Sequence, residues 1–85
     1  MDKSNILEST IQIILNLLEN KNLIITEYSS SENIAEWDSL KHILIINEVE
    51  KKFNLNFDID DILDLQTVAD IVNKIFELKN ENNRN

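Results

Sequence analysis

The sequence predicts an all-α fold: a small four-helix bundle of three longer helices and one short helix, with a long first loop. Three observations carry this expectation. Apolar residues recur at helical spacing through residues 4–20, 39–53 and 68–79. Helix-start signals stand at Asp38-Ser39 and at Thr67-Val68-Ala69-Asp70. The alternating stretch Phe53-Asn54-Leu55-Asn56-Phe57-Asp58-Ile59 has no second strand to pair with, and a lone strand is not stable.

The first helix is expected over residues 4–20, capped by Asp2 or Ser4. Leu7, Ile11, Ile14 and Leu18 form one apolar stripe, and Ile6, Ile13 and Leu17 form a second on an adjoining face. A helix apolar over so wide an arc touches two neighbours. Residues 21–38 form a long connection, with Leu23, Ile24, Ile25 and Tyr28 expected to lie across the bundle. Ser29-Ser30-Ser31-Glu32 is its most polar part, and Ile34 and Trp37 anchor its end. Trp37 reads as a loop anchor in preference to a partner contact, because a buried Trp dominates local packing.

The second helix is expected over residues 39–53, with Ile43, Ile45, Ile46, Val49 and Phe53 on its core face. Lys41, Glu48, Lys51 and Lys52 fall opposite. Leu40 and Leu44, stacked four residues apart on the solvated side, form a small contact patch. With no glycine in the chain, Asn54 is expected to end this helix in a left-handed conformation. An extended link follows, then a helical turn or two around Ile62, Leu63 and Leu65. The last helix opens at Thr67 and runs to about Lys79, burying Val68, Ile71, Val72, Ile75 and Phe76. Residues 1–79 are read as one domain and residues 80–85, almost without apolar content, as a disordered tail.

Composition narrows function. The 85 residues carry a formal net charge of -8. That charge repels nucleic acid, whose binding depends on Lys and Arg, and favours partners with a basic docking patch. There is no cysteine, hence no disulfide framework and no thiolate metal site. The N-terminus lacks the basic region of a signal peptide, and no apolar run approaches the ~18 residues of a membrane span, so a cytoplasmic protein is expected. The acidic cluster Asp58, Asp60, Asp61 and Asp64 lacks the glycine of a calcium loop, Ile62 and Leu63 interrupt its ligand spacing, and no metal site is expected.

The strongest local signal is Glu36-Trp37-Asp38-Ser39-Leu40. Asp38 stands at the cap position and Ser39 begins the helix, where unpaired backbone N–H groups and the helix dipole favour a phosphate ester. His42 is the only histidine, but no glycine-rich turn exposes the serine or builds an oxyanion hole. Ser39 therefore reads as a point of covalent attachment, with no catalytic residue assigned.

Around Asp38-Ser39-Leu40 the chain resembles the acyl carrier proteins. Ile43, Ile46, Val49, Glu50 and Phe53 resemble that family's second helix, and Asp60-Asp61 and Thr67-Val68-Ala69-Asp70 its third-helix region and the start of its fourth. The resemblance covers residues 4–79. It implies a bundle of acyl-carrier type and a non-catalytic, freestanding, monomeric carrier of acyl thioesters for fatty acid, polyketide or a specialised acyl pathway. It implies 4′-phosphopantetheine from coenzyme A on Ser39, Asp38 in recognition by a phosphopantetheinyl transferase, and docking at Leu40, Leu44 and Glu48. Further partners implied are an acyl-activating ligase, an acyltransferase or synthase enzymes. Glu36 and Trp37 replace the glycine and small residue frequent before the motif, and Leu44 replaces a frequent acidic residue. The alternatives are a peptidyl or aminoacyl carrier, or an unmodified helical interaction module.

Overall fold

The computed structural model describes residues 2–82 and is all-helical, in the order α1 (Lys3–Leu18), α2 (Ser39–Phe53), α3 (Ile59–Asp64) and α4 (Val68–Asn82). Among the described residues there is no strand. The central helix is α1, which packs against both α2 and α4.

The cap of α1 is Asp2, whose Oδ1 accepts the Asn5 N–H at 2.9 Å. The helix ends at Leu18, two residues before the expected limit, because Glu19 turns left-handed at φ 57°. No basic residue stands in the last turn of α1. Lys41 of α2 supplies that charge from outside, its Nζ donating to the Leu17 carbonyl at 2.9 Å. The same bond ties the first turn of α2 to the end of α1.

The buried line of α1 is Ile6, Thr10, Ile14 and Leu18, whereas Leu7, Ile11, Ile13 and Leu17 are only half-buried. Thr10 escaped the apolar pattern because its hydroxyl is paired locally, donating to the Ile6 carbonyl at 2.7 Å. With that bond made, Thr10 is fully buried on the line between Ile6 and Ile14.

The long loop departs most from expectation. Ile25 is buried, but Ile24 and Tyr28 are 83% and 74% exposed, while Ser29 and Ser30 are buried. The reason is backbone pairing. The carbonyls of Ser29 and Glu27 accept the N–H groups of Val68 and Ala69, at 3.0 and 2.8 Å, and so close the first turn of α4. The serine hydroxyls are spent inside the loop, Ser29 Oγ accepting from Thr26 N–H and Ser30 Oγ from Glu32 N–H. Small, internally bonded side chains let this segment pass close beneath α4.

In α2, Ile45, Ile46, Val49 and Phe53 are buried, but Ile43, expected in the core, is 50% exposed. Its side of α2 faces α3, a helix of six residues with none buried. So short a helix covers Ile43 incompletely. Leu44, expected on the solvated side with Leu40, is half-buried, so Leu40 is the exposed member of that pair.

Asn54 ends α2 at φ 55°, as its position in a glycine-free chain suggested. The Leu55 N–H then reaches back to the Glu50 carbonyl at 2.9 Å, which fits a Schellman closure. Phe53, Leu55 and Phe57 turn inward alternately, and Glu50 Oε2 accepts the Phe57 N–H at 2.8 Å. The alternation is an extended link held against the bundle. Thr67 and Asp70 form the expected reciprocal cap of α4: Thr67 Oγ1 accepts the Asp70 N–H, and Asp70 Oδ2 accepts the Thr67 N–H, each at 3.1 Å. The helix continues to Asn82, beyond the expected end near Lys79. Residues 83–85 of the expected tail lie outside the described residues.

Candidate attachment site

The site is built where the loop meets α2. Trp37 is 1% exposed and fixes the end of the loop from within the core, the anchoring role expected of it. Glu36 is tied on the outside, its Oε2 accepting from Asn20 Nδ2 at 2.9 Å, and this bond holds its carboxyl below the ordinary range. Both contacts fix the direction in which the chain enters α2.

Asp38 is the cap, with extended backbone, and its Oδ1 accepts the Lys41 N–H at 2.8 Å. The His42 N–H bonds the Asp38 carbonyl at 2.9 Å. The N–H groups of Ser39 and Leu40 have no acceptor among the described residues. Ser39 is exposed at the first helical position, beside these open donors. An oxyanion bonded there would meet both the donors and the positive end of the helix dipole.

Beside Ser39 lies a cavity of about 510 Å³, bounded by the loop, α2 and α3. Ile43, Ile59, Ile62 and Leu63 make its apolar side, and Ser39, Asp38 and His42 its polar mouth. Ile59 and Leu63 are 76% and 67% exposed, so α3 presents an apolar edge at this opening. Ile43, expected in the core, stands instead beside α3 at this cavity. Their nearness depends on how the link 54–58 folds back, which no local pattern discloses.

His42 is half-buried at the same mouth. The Trp37 indole Nε1–H donates to His42 Nδ1 at 3.0 Å, and the two rings lie 5.9 Å apart at 26°. An indole nitrogen only donates, so Nδ1 of the neutral ring is bare and its proton resides on Nε2. A general base for Ser39 needs a free imidazole lone pair, and here neither nitrogen offers one. The geometry therefore opposes hydrolytic chemistry at Ser39, in line with the absence of a glycine-rich turn.

Of the remaining site residues, Leu40 is exposed next to Ser39. Glu48 lies farther along α2, where its Oε1 pairs with Lys51 Nζ at 3.5 Å. Among the described residues, no group of three or more His, Asp or Glu side chains is gathered as for a metal ion. No helix there is long and apolar enough to cross a membrane.

The fit to a phosphorylated arm rests on these features: an exposed serine hydroxyl, two open backbone donors and a part-apolar cavity alongside. Comparison with known proteins agrees. A family model described as the phosphopantetheine attachment site matches residues 32–75, more than half of the chain. Among solved structures, the chain is similar to a holo acyl carrier protein from Geobacter metallireducens determined in solution by NMR. The TM-score is 0.79 over 93% of this chain and 92% of that one, at 21% identity, a likeness of fold. No curated protein sequence matched. The matched segment spans the loop end, α2, α3 and about half of α4, and thus includes Asp38, Ser39 and the apolar side of the cavity. The chain belongs to the phosphopantetheine-attachment family, as a non-catalytic carrier with the acyl carrier fold and phosphopantetheine as its covalent cofactor.

Proposed function

We propose that the protein carries acyl intermediates as thioesters on a 4′-phosphopantetheine arm joined to Ser39, the arm coming from coenzyme A through a phosphopantetheinyl transferase. The observation that carries this reading is the exposure of Ser39 at the first turn of α2, inside the family-matched segment and at the mouth of the cavity. The chain has no cysteine, and the arm supplies the thiol on which a thioester forms. Asp38 holds the helix start in shape, and the Ser39 and Leu40 N–H groups stabilise the phosphate. The apolar side of the cavity suits an acyl cargo better than a charged one.

The reading extends to partners. A small domain of net charge -8 suits successive basic enzymes: the transferase, an acyl-activating ligase, and acyltransferases or synthases of fatty acid, polyketide or specialised acyl synthesis. Leu40 is the exposed apolar contact, with Leu44 and Glu48 flanking it on α2. A freestanding cytoplasmic carrier fits this set.

The test is loading. Incubation with coenzyme A, magnesium and a broad-specificity phosphopantetheinyl transferase should add one phosphopantetheine to the intact mass, and Ser39→Ala should abolish the addition. Because Ser39 is exposed, Ser39→Ala should change stability by no more than about 0.5 kcal/mol. A folded wild-type protein that no transferase loads would overturn the proposal in favour of an unmodified interaction module.

A further inference from the structure

We propose that His42 is a positioning residue for the arm: its Nε2–H donates to the phosphate group carried on Ser39, and Trp37 sets the tautomer that makes it a donor. This rests on the carrier reading of Ser39 and adds a role for two residues which that reading leaves unused.

Three observations combine. His42 follows Ser39 by three residues on α2, which places the two side chains as neighbours on one helix face. Both stand at the mouth of the same cavity. The Trp37–His42 hydrogen bond of 3.0 Å consumes Nδ1 from the buried side, so the ring's remaining polar atom is a donor, and it has no partner among the described residues. Trp37 is 1% exposed, so the bond is anchored in the core rather than on a mobile surface.

The electrostatics of the mouth give that donor a task. Asp38 and Glu32 both line the cavity, and two carboxylates repel a phosphodiester. The one lysine in the first turn of α2, Lys41, is engaged by the Leu17 carbonyl. The Ser39 and Leu40 N–H groups and the His42 Nε2–H are then the unpaired donors of the first turn of α2 among the described residues, two from the backbone and one from a side chain. Hydrogen bonds to an ionised acceptor are the strong ones, so the contact would orient the arm as well as hold it. Gln66 also lines the cavity, but it lies beyond α3 and not on the helix that bears Ser39.

The test has two stages. In the unmodified protein, long-range ¹H–¹⁵N spectra of the neutral imidazole should show the Nε2–H tautomer, and Trp37→Phe should return the ring to a mixture. An Nδ1–H tautomer in the wild type would overturn the inference whatever the state of Ser39. In protein shown by intact mass to be loaded, the ³¹P resonance of the diester should shift in His42→Phe. It should shift in the same direction in Trp37→Phe and stay near the wild-type position in His42→Gln, whose amide still donates. A resonance unchanged across all three loaded variants would refute the contact while leaving the attachment at Ser39 intact. Failure to load would instead strike the carrier reading itself.

Discussion

Single residues here take their roles from what occupies their polar atoms. Ser39 was legible in the sequence because helix capping is local: Asp38 before it and an amphipathic helix after it suffice to place its hydroxyl. Trp37 was legible as an anchor but not as a hydrogen-bond donor, since its partner His42 lies five residues on and across the bend into α2. Ser29 and Ser30 are buried although they stand in the most polar part of the loop. Their burial follows from hydroxyls already paired within the loop and a carbonyl engaged by α4. A surface residue supplies a prediction at this scale. The Glu36 carboxyl is lowered from 4.5 mainly by the Asn20 side chain, with its own backbone N–H adding to the effect. A depressed folded value contributes stability above the ordinary carboxylate range, and that contribution is lost as pH falls through the folded value. An NMR titration of the Glu36 side chain should therefore give a midpoint below 4.5, and Asn20→Ala should raise it.

At the scale of elements, the helices were legible because apolar spacing and caps agree for α2 and α4. The end of α1 was less so, since Glu19, a residue of no terminating character, closes it in place of the neighbouring Asn20. In a chain without glycine, two helices end on left-handed side-chain residues, Glu19 at φ 57° and Asn54 at φ 55°. Asn tolerates this region better than Glu does. Glu19→Gly should therefore stabilise the protein by about 0.5–1 kcal/mol, a rise in Tm of a few degrees, whereas Asn54→Ala should cost about 1 kcal/mol. Thermal denaturation of both variants checks the pair, and destabilisation by Glu19→Gly would mean that the Glu side chain, not its backbone, holds that turn. The placement of Ile43 was not legible, because a wheel for α2 cannot show that its neighbour α3 has only six residues and buries none of them. The same reasoning separates two leucines: Leu40→Glu should weaken loading by the transferase with Tm nearly unchanged, while Leu44→Glu should lower Tm because Leu44 is half-buried. Equal Tm values for the two variants would remove that distinction.

Across the whole molecule, the bundle serves to hold one exposed hydroxyl in a fixed place. The anchoring of Trp37, the Lys41–Leu17 bond and the Asn20–Glu36 bond all act on the few residues that lead into α2. A thin core, the lack of any cysteine and an acidic surface leave chemistry to an attached group and to visiting enzymes. The all-α architecture was readable from periodicity, but the cavity was not, because it arises between segments distant in sequence. The central claim is that Ser39, among several exposed serines, is where the arm is joined. Tryptic digestion of the loaded protein yields the peptide from Asn22 to Lys41, which holds Ser29, Ser30 and Ser31 as well as Ser39. Fragmentation of that peptide in a mass spectrometer should place the whole phosphopantetheine increment on Ser39; an increment on Ser31 or elsewhere in the loop, or none in a folded protein, would contradict the account.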